Sequence, residues 1–168
     1  WRGSRASLQL HIGVDGDISA EVGALRRHWQ LQAAAQDASV MEAREWRVQV
    51  ATPPRVLVFG AGPETPTLLP LLRSLGWMTT LVERRARWQV EAMHADVVVE
   101  ATPEAALSSF DAQGFDAALV MNHNFEMDRE ALFALADGSI PFIGLLGPMR
   151  RKDDLFRVLP AAARAALQ

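Results

Sequence analysis

Hydrophobic positions along this chain follow two rhythms, and the change between them falls at Thr52-Pro53-Pro54. Before it, residues 7–14 alternate. Leu8, Leu10, Ile12 and Val14 are apolar with other residues between them, as a half-buried strand requires. Asp15-Gly16 supplies a turn, and residues 18–22 can pair back as a hairpin. Residues 28–32 and 45–50 read as two further short strands around an Ala- and Gln-rich middle. A part of about 50 residues is close to the size at which a domain is marginal alone. Residues 1–52 are therefore expected to form a small β-rich segment that is truncated or leans on a neighbour.

After the prolines, apolar runs alternate with helix-period segments. Residues 55–59 form the first strand of this part. Thr65 then suits an N-cap, Pro66 the first turn of a helix and Gly76 its stop. Leu68, Leu69, Leu71, Leu72 and Leu75 are expected on the buried face of that helix. Further strands are expected at 77–82, 96–99, 116–121 and 140–145. Thr102-Pro103 opens one helix, a second spans 126–136 and is closed by Asp137-Gly138, and a final basic helix follows Gly147-Pro148. Strands separated by helices of this length predict an α/β, Rossmann-like parallel sheet over residues 53–168, with helices on both faces. Counted from residue 55, the expected strand order is 3-2-1-4-5, and a ligand crevice belongs between the first and fourth strands.

Composition narrows the function classes. The 168 residues are 49% hydrophobic and 22% charged, as in a globular chain with a real core. A net charge of −3 gives no global electrostatic reason to bind nucleic acid or an anionic membrane. No apolar run approaches the ~20 residues of a membrane span. No leader pattern is present, so a cytoplasmic setting is expected. The absence of cysteine excludes disulfides and thiolate chemistry within this segment. Trp1 in place of Met points to a piece of something longer.

Three loops are expected to meet at the carboxyl ends of the strands. The first is Gly60-Ala61-Gly62-Pro63-Glu64-Thr65. Its glycines permit a tight turn and close approach of a pyrophosphate, although Thr65 stands where the third glycine of G-x-G-x-x-G would be. Pro63 removes an amide donor and Glu64 adds negative charge. A turn that needs glycine for backbone reasons alone is the alternative. Glu83 lies about 20 residues on, where an acid accepts from ribose hydroxyls. Arg84 and Arg85 could instead pair with an anion such as a 2′-phosphate, or the three could form a solvated charge cluster. The second loop holds Asn122, His123, Asn124 and Asp128. His123 is a proton donor, acceptor or ligand at the crevice, but the spacing is not metal-specific. The alternative is a capped helix start with Asn124 as N-cap. The third loop carries Gly144, Gly147 and the run Arg150-Arg151-Lys152. Cations at a helix start oppose the dipole, which raises the odds of a bound anion or an acidic partner. No nucleophile elbow or Walker A sequence is present.

Taken together, these segments resemble the XdhC/CoxI family of accessory proteins for molybdenum hydroxylases. The resemblance runs from Pro53 to about Leu155. It rests on Pro-Pro-Arg-Val-Leu-Val-Phe-Gly-Ala-Gly, on Leu-Gly-Trp followed by Leu-Val-Glu-Arg-Arg, on His123 with Asp128, on Ala131-Leu132, and on Phe-Ile-Gly-Leu-Leu-Gly at 142–147. It implies a Rossmann-like domain that handles the molybdenum cofactor, as molybdopterin or its dinucleotide form. Its implied partners are a molybdenum hydroxylase apoenzyme and a cysteine desulfurase, with a homodimer left open. The resemblance carries over Gly60, Gly62, Glu83, Arg85, His123, Asp128, Gly144 and Gly147. The loop reading adds Ala61, Thr65, Asn122 and Arg150 to the expected cofactor-binding set, with no catalytic residue and no protein-held metal. The chain departs from the family pattern at Pro63, Glu64, Phe125 and Pro148. Two other readings stay open: an oxidoreductase using NAD(P), and an interaction module of the same fold that has lost its ligand.

Overall fold

The alternation before the prolines becomes an antiparallel sheet. A computed structural model describes residues 6–13, 16–30, 45–110, 114–136 and 140–167, in two compact units, Trp1–Pro53 and Pro54–Gln168. In the first, strands β1 (Leu8–Ile12), β2 (Asp17–Val22), β3 (Leu25–Gln30) and β4 (Trp46–Val50) lie in the order β3-β2-β1-β4. Period-two patterning sorts the faces. Trp29, Ile18, Ile12 and Trp46 stand in register on one side, and His28, Ser19, His11 and Arg47 on the other. The expected turn residue Asp15 and the end of the strand expected at 28–32 lie outside the described residues.

In the second unit, β5 (Arg55–Phe59), β6 (Met78–Val82), β7 (Val97–Val99), β8 (Ala117–Val120) and β9 (Ile143–Leu145) pair in parallel, in the order β7-β6-β5-β8-β9. This is the expected 3-2-1-4-5 order, with β5 at the centre and buried on both faces. Successive residues of β5 serve opposite layers. Val56 and Val58 pack with Leu69 and Leu72 of α1 (Thr65–Ser74) and with Ala92 of α2 (Gln89–Ala92). Leu57 and Phe59 pack with Ala106 of α3 (Pro103–Ser109), Leu132 and Leu135 of α4 (Phe125–Leu135) and Leu155 of α5 (Met149–Val158). Two apolar layers enclose one sheet, which is the doubly wound arrangement.

Local chemistry sets the ends of these helices. Gly76, at φ 78°, ends α1 in a Schellman motif: its N–H donates to Arg73 O, and that of Trp77 to Leu72 O. Thr102 and Asn124 cap α3 and α4 through their side chains. The structure corrects other expectations. Thr65 is the first residue of α1, preceded by Glu64, and its hydroxyl accepts from Gly62 N. Leu71 and Leu75 are exposed, because five leucines over 68–75 span more of the helix circumference than one buried stripe covers. Gly144 lies inside β9, where a Cβ would come within 2.9 Å of the Leu119 side chain. The expected final helix is two, α5 and α6 (Ala161–Ala166), broken at Pro160. Helix α2 is not anticipated by the sequence pattern, and the helix stop expected at Asp137-Gly138 lies outside the described residues.

Candidate functional site

Strand β5 ends in an apolar run, and Gly60 turns the chain sharply at φ 91°. Any Cβ there would lie 2.4 to 2.7 Å from Asn122, so glycine is required both for the turn and for the close crossing. The next amides do not point at open space. Ala61 N donates to Glu83 Oε2 at 2.7 Å, and Gly62 N to the Thr65 hydroxyl at 2.8 Å. Pro63 has no amide to offer. Ala61 and Gly62 have thus spent their amides internally.

Glu83 is what the loop closes on. It follows β6 and is fully buried, and each carboxylate oxygen has two donors. Oε1 accepts from the backbone N and the Nε of Arg85, and Oε2 from Ala61 N and Arg85 Nη2. Burial pushes this carboxyl up, but the bonds from Arg85 and the two amides, with the Arg85 charge, hold it below the ordinary value. The expected presentation of Glu83 to ribose hydroxyls is therefore not met, because four donors fill its lone pairs. Arg85 binds in the other direction as well, through Nη1 to Asn122 O at 2.8 Å and Nη2 to Ala61 O at 3.0 Å. One guanidinium thus ties the ends of β5, β6 and β8 together. Arg84 pairs with Glu130, so neither arginine stands ready for a 2′-phosphate.

The loop after β8 is held from beneath. Asp128, in the first turn of α4, is fully buried. Its Oδ1 accepts from both the N and Nδ2 of Asn122, at 3.0 and 3.1 Å, and its Oδ2 from Arg151 Nη2. These bonds fix a turn in which His123 adopts φ 54°, a left-handed conformation that is strained for a residue with a side chain. Its ring comes forward over the glycine loop, with Nε2 3.0 Å from Glu64 Oε2. Both side chains are partly exposed.

Gly60, Ala61, Gly62, Thr65, Glu83, Arg85, Asn122 and Asp128 thus form one bonded frame, with His123 displayed on it. Gly144 and Arg150 are not part of that frame. Gly144 belongs to a strand, and Arg150 is solvent-exposed with its nearest acid, Asp154, 4.0 Å away. Gly147 stands beside Arg151, whose Cδ would be 3.2 Å from a Cβ there. Sequence reasoning named Arg151 in the basic run but placed only Arg150 in the binding set. The signal was its unfavourable place at the start of α5, and the compensating anion is Asp128 of this same chain.

The resemblance implies a molybdenum cofactor, whose phosphate the glycine loop would have to cradle. The residues present do not fit that task. The amides of Ala61 and Gly62 are engaged, Pro63 has none, and the Glu64 carboxylate stands at the loop's mouth. The cavity bounded by Arg84, Asn122 and Met127 at the strand ends measures about 10 Å³, room for one water at most. A larger hollow of about 540 Å³ lies between α5 and α6, lined by Lys152, Phe156 and Arg164, and contains none of the expected ligand-binding residues.

Comparison with known proteins identifies the family of the second unit. Residues 56–167 match the model of the XdhC Rossmann domain. A probable xanthine dehydrogenase subunit from Bacillus subtilis (strain 168) is 32% identical over 100 residues, covering 58% of this chain and 30% of that protein. The crystal structure of a xanthine dehydrogenase from Bacillus halodurans overlies 95% of this chain and 53% of its own, with a TM-score of 0.65. At 20% identity, that second likeness is one of fold. This chain therefore spans about half of the solved relative and less than a third of the curated one. With two-thirds of its length matched by the family's Rossmann domain, the chain belongs to the XdhC family.

Proposed function

We propose that this chain carries the Rossmann unit of an accessory protein for a xanthine dehydrogenase-like molybdenum hydroxylase, assisting the maturation of that enzyme or the insertion of its molybdenum cofactor. The observation that carries the reading is convergence. Glu83, Arg85, His123 and Asp128 carry the resemblance from separate loops, and with Asn122 they assemble at the ends of β6 and β8. The frame positions rather than reacts, because its carboxylates are buried and hydrogen-bonded on both oxygens while His123 is displayed above them. The Bacillus subtilis relative, by its name part of a xanthine dehydrogenase, points to the same client.

A second reading has its own observation. The engaged amides of Ala61 and Gly62 favour a unit that works by contact with its partner, with no ligand in the crevice. On that reading the cofactor is held elsewhere in the complex.

Co-purification tests the role. The protein is expected to retain the cofactor-free hydroxylase in preference to the loaded enzyme. Equal failure to retain either form would contradict an accessory role by docking. Anaerobic ultrafiltration with molybdenum cofactor, with and without NADPH, then separates the two readings. Retained molybdenum would place the cofactor on this protein, and its passage through the filter would favour the interaction module.

A further inference from the structure

The space that a glycine normally leaves for a ligand is occupied here by the chain itself. A Cβ built on Gly62 would lie 3.0 Å from Glu64 Oε2 and 3.1 Å from His123 Cδ2, so both side chains rest directly over the glycine. Gly62 is accordingly buried. Glu64 is also the N-cap residue of α1, where unsatisfied amides and the helix dipole favour negative charge. Its carboxylate makes no capping bond and turns instead to His123.

The nearby cations cannot easily offset this acid. Arg85 is bound to Glu83, Arg84 to Glu130 and Arg151 to Asp128. His123 is the partner that Glu64 does have. A phosphate approaching Gly62 would meet a carboxylate of its own sign and engaged amides.

We propose that Glu64 determines the specificity of this strand-end site: it occupies the anion position over Gly62 and makes the site refuse pyrophosphate-bearing ligands. This goes beyond the accessory role and does not depend on the identity of the client, so it can fail while that reading stands.

The test compares the parent, Glu64→Ala and Glu126→Ala by titration calorimetry with ADP and with NADPH. Far-ultraviolet circular dichroism establishes that each variant is folded. Glu126 is an exposed acid at the start of α4 that pairs with Arg129, so its removal controls for the change in net charge. The parent and Glu126→Ala are expected to show no saturation up to about 1 mM ligand, and Glu64→Ala to bind at least about tenfold more tightly. Micromolar binding by the parent would overturn the proposal. So would a folded Glu64→Ala variant no tighter than the parent, or an equal gain in Glu126→Ala.

Discussion

Glu83 and Arg85 are the residues on which the site's geometry depends. A buried carboxylate with its arginine is weak evidence for net stability, but breaking such a pair from one side leaves an uncompensated charge. Glu83→Gln keeps the shape and removes the charge, leaving the Arg85 guanidinium with a neutral partner. The expected cost is about 3 kcal/mol in urea unfolding near neutral pH. The pH dependence should change with it. Folding holds the Glu83 carboxyl below its ordinary value of 4.5, so the unfolded chain takes up a proton first as the solution is acidified. The contribution of Glu83 is complete above 4.5 and is lost as pH falls from there through the lower folded value. Asp96, held below 3.8 by Thr79 and Arg73 against the opposing effect of burial, acts with the same sign just beneath. Urea midpoints of the parent should therefore fall on acidification below about pH 4.5, and those of Glu83→Gln should fall less. A variant with the parent's midpoint and the same acid limb would contradict the role assigned to the pair.

Elements differ in how openly the sequence declares them. The turn chemistry of α1, α3 and α4 is legible, since Gly76, Thr102 and Asn124 act through backbone geometry or a local bond. Strand β5 is legible as an apolar run that meets glycine. What the pattern hides is any function that depends on a residue far along the chain. Glu83 looks like a ribose acceptor until Ala61 and Arg85 are seen to saturate it. The cations at the start of α5 look short of an anion until Asp128, 23 positions away, is found beneath Arg151. The glycines illustrate the same limit, for Gly60 and Gly76 both have positive φ but differ in surroundings. A Cβ at Gly76 meets nothing within 4 Å, whereas one at Gly60 collides with Asn122. Gly76→Ala should cost only the left-handed backbone, about 1 kcal/mol. Gly60→Ala should cost roughly 2–4 kcal/mol, because overpacking adds to the strain. Thermal unfolding of the two variants decides this, and equal losses would show that the crossing at Asn122 is not tight.

At the scale of the whole molecule, a familiar fold carries an altered site. The sheet order, the two apolar layers and the family follow from the alternation of strands and helices and from motifs at the strand ends. The state of the glycine loop does not, because it depends on where Glu64 and His123 fall in three dimensions. Among the described residues no helix is long and apolar enough to cross a membrane, and no three His, Asp or Glu side chains gather into a metal site. The most direct measurement is the molybdenum content of the proposed client, a molybdenum hydroxylase purified from cells with and without this protein and normalised to enzyme. The accessory role predicts a client largely lacking molybdenum when the protein is missing, with recovery when it is supplied again. Full molybdenum occupancy in its absence would contradict that role.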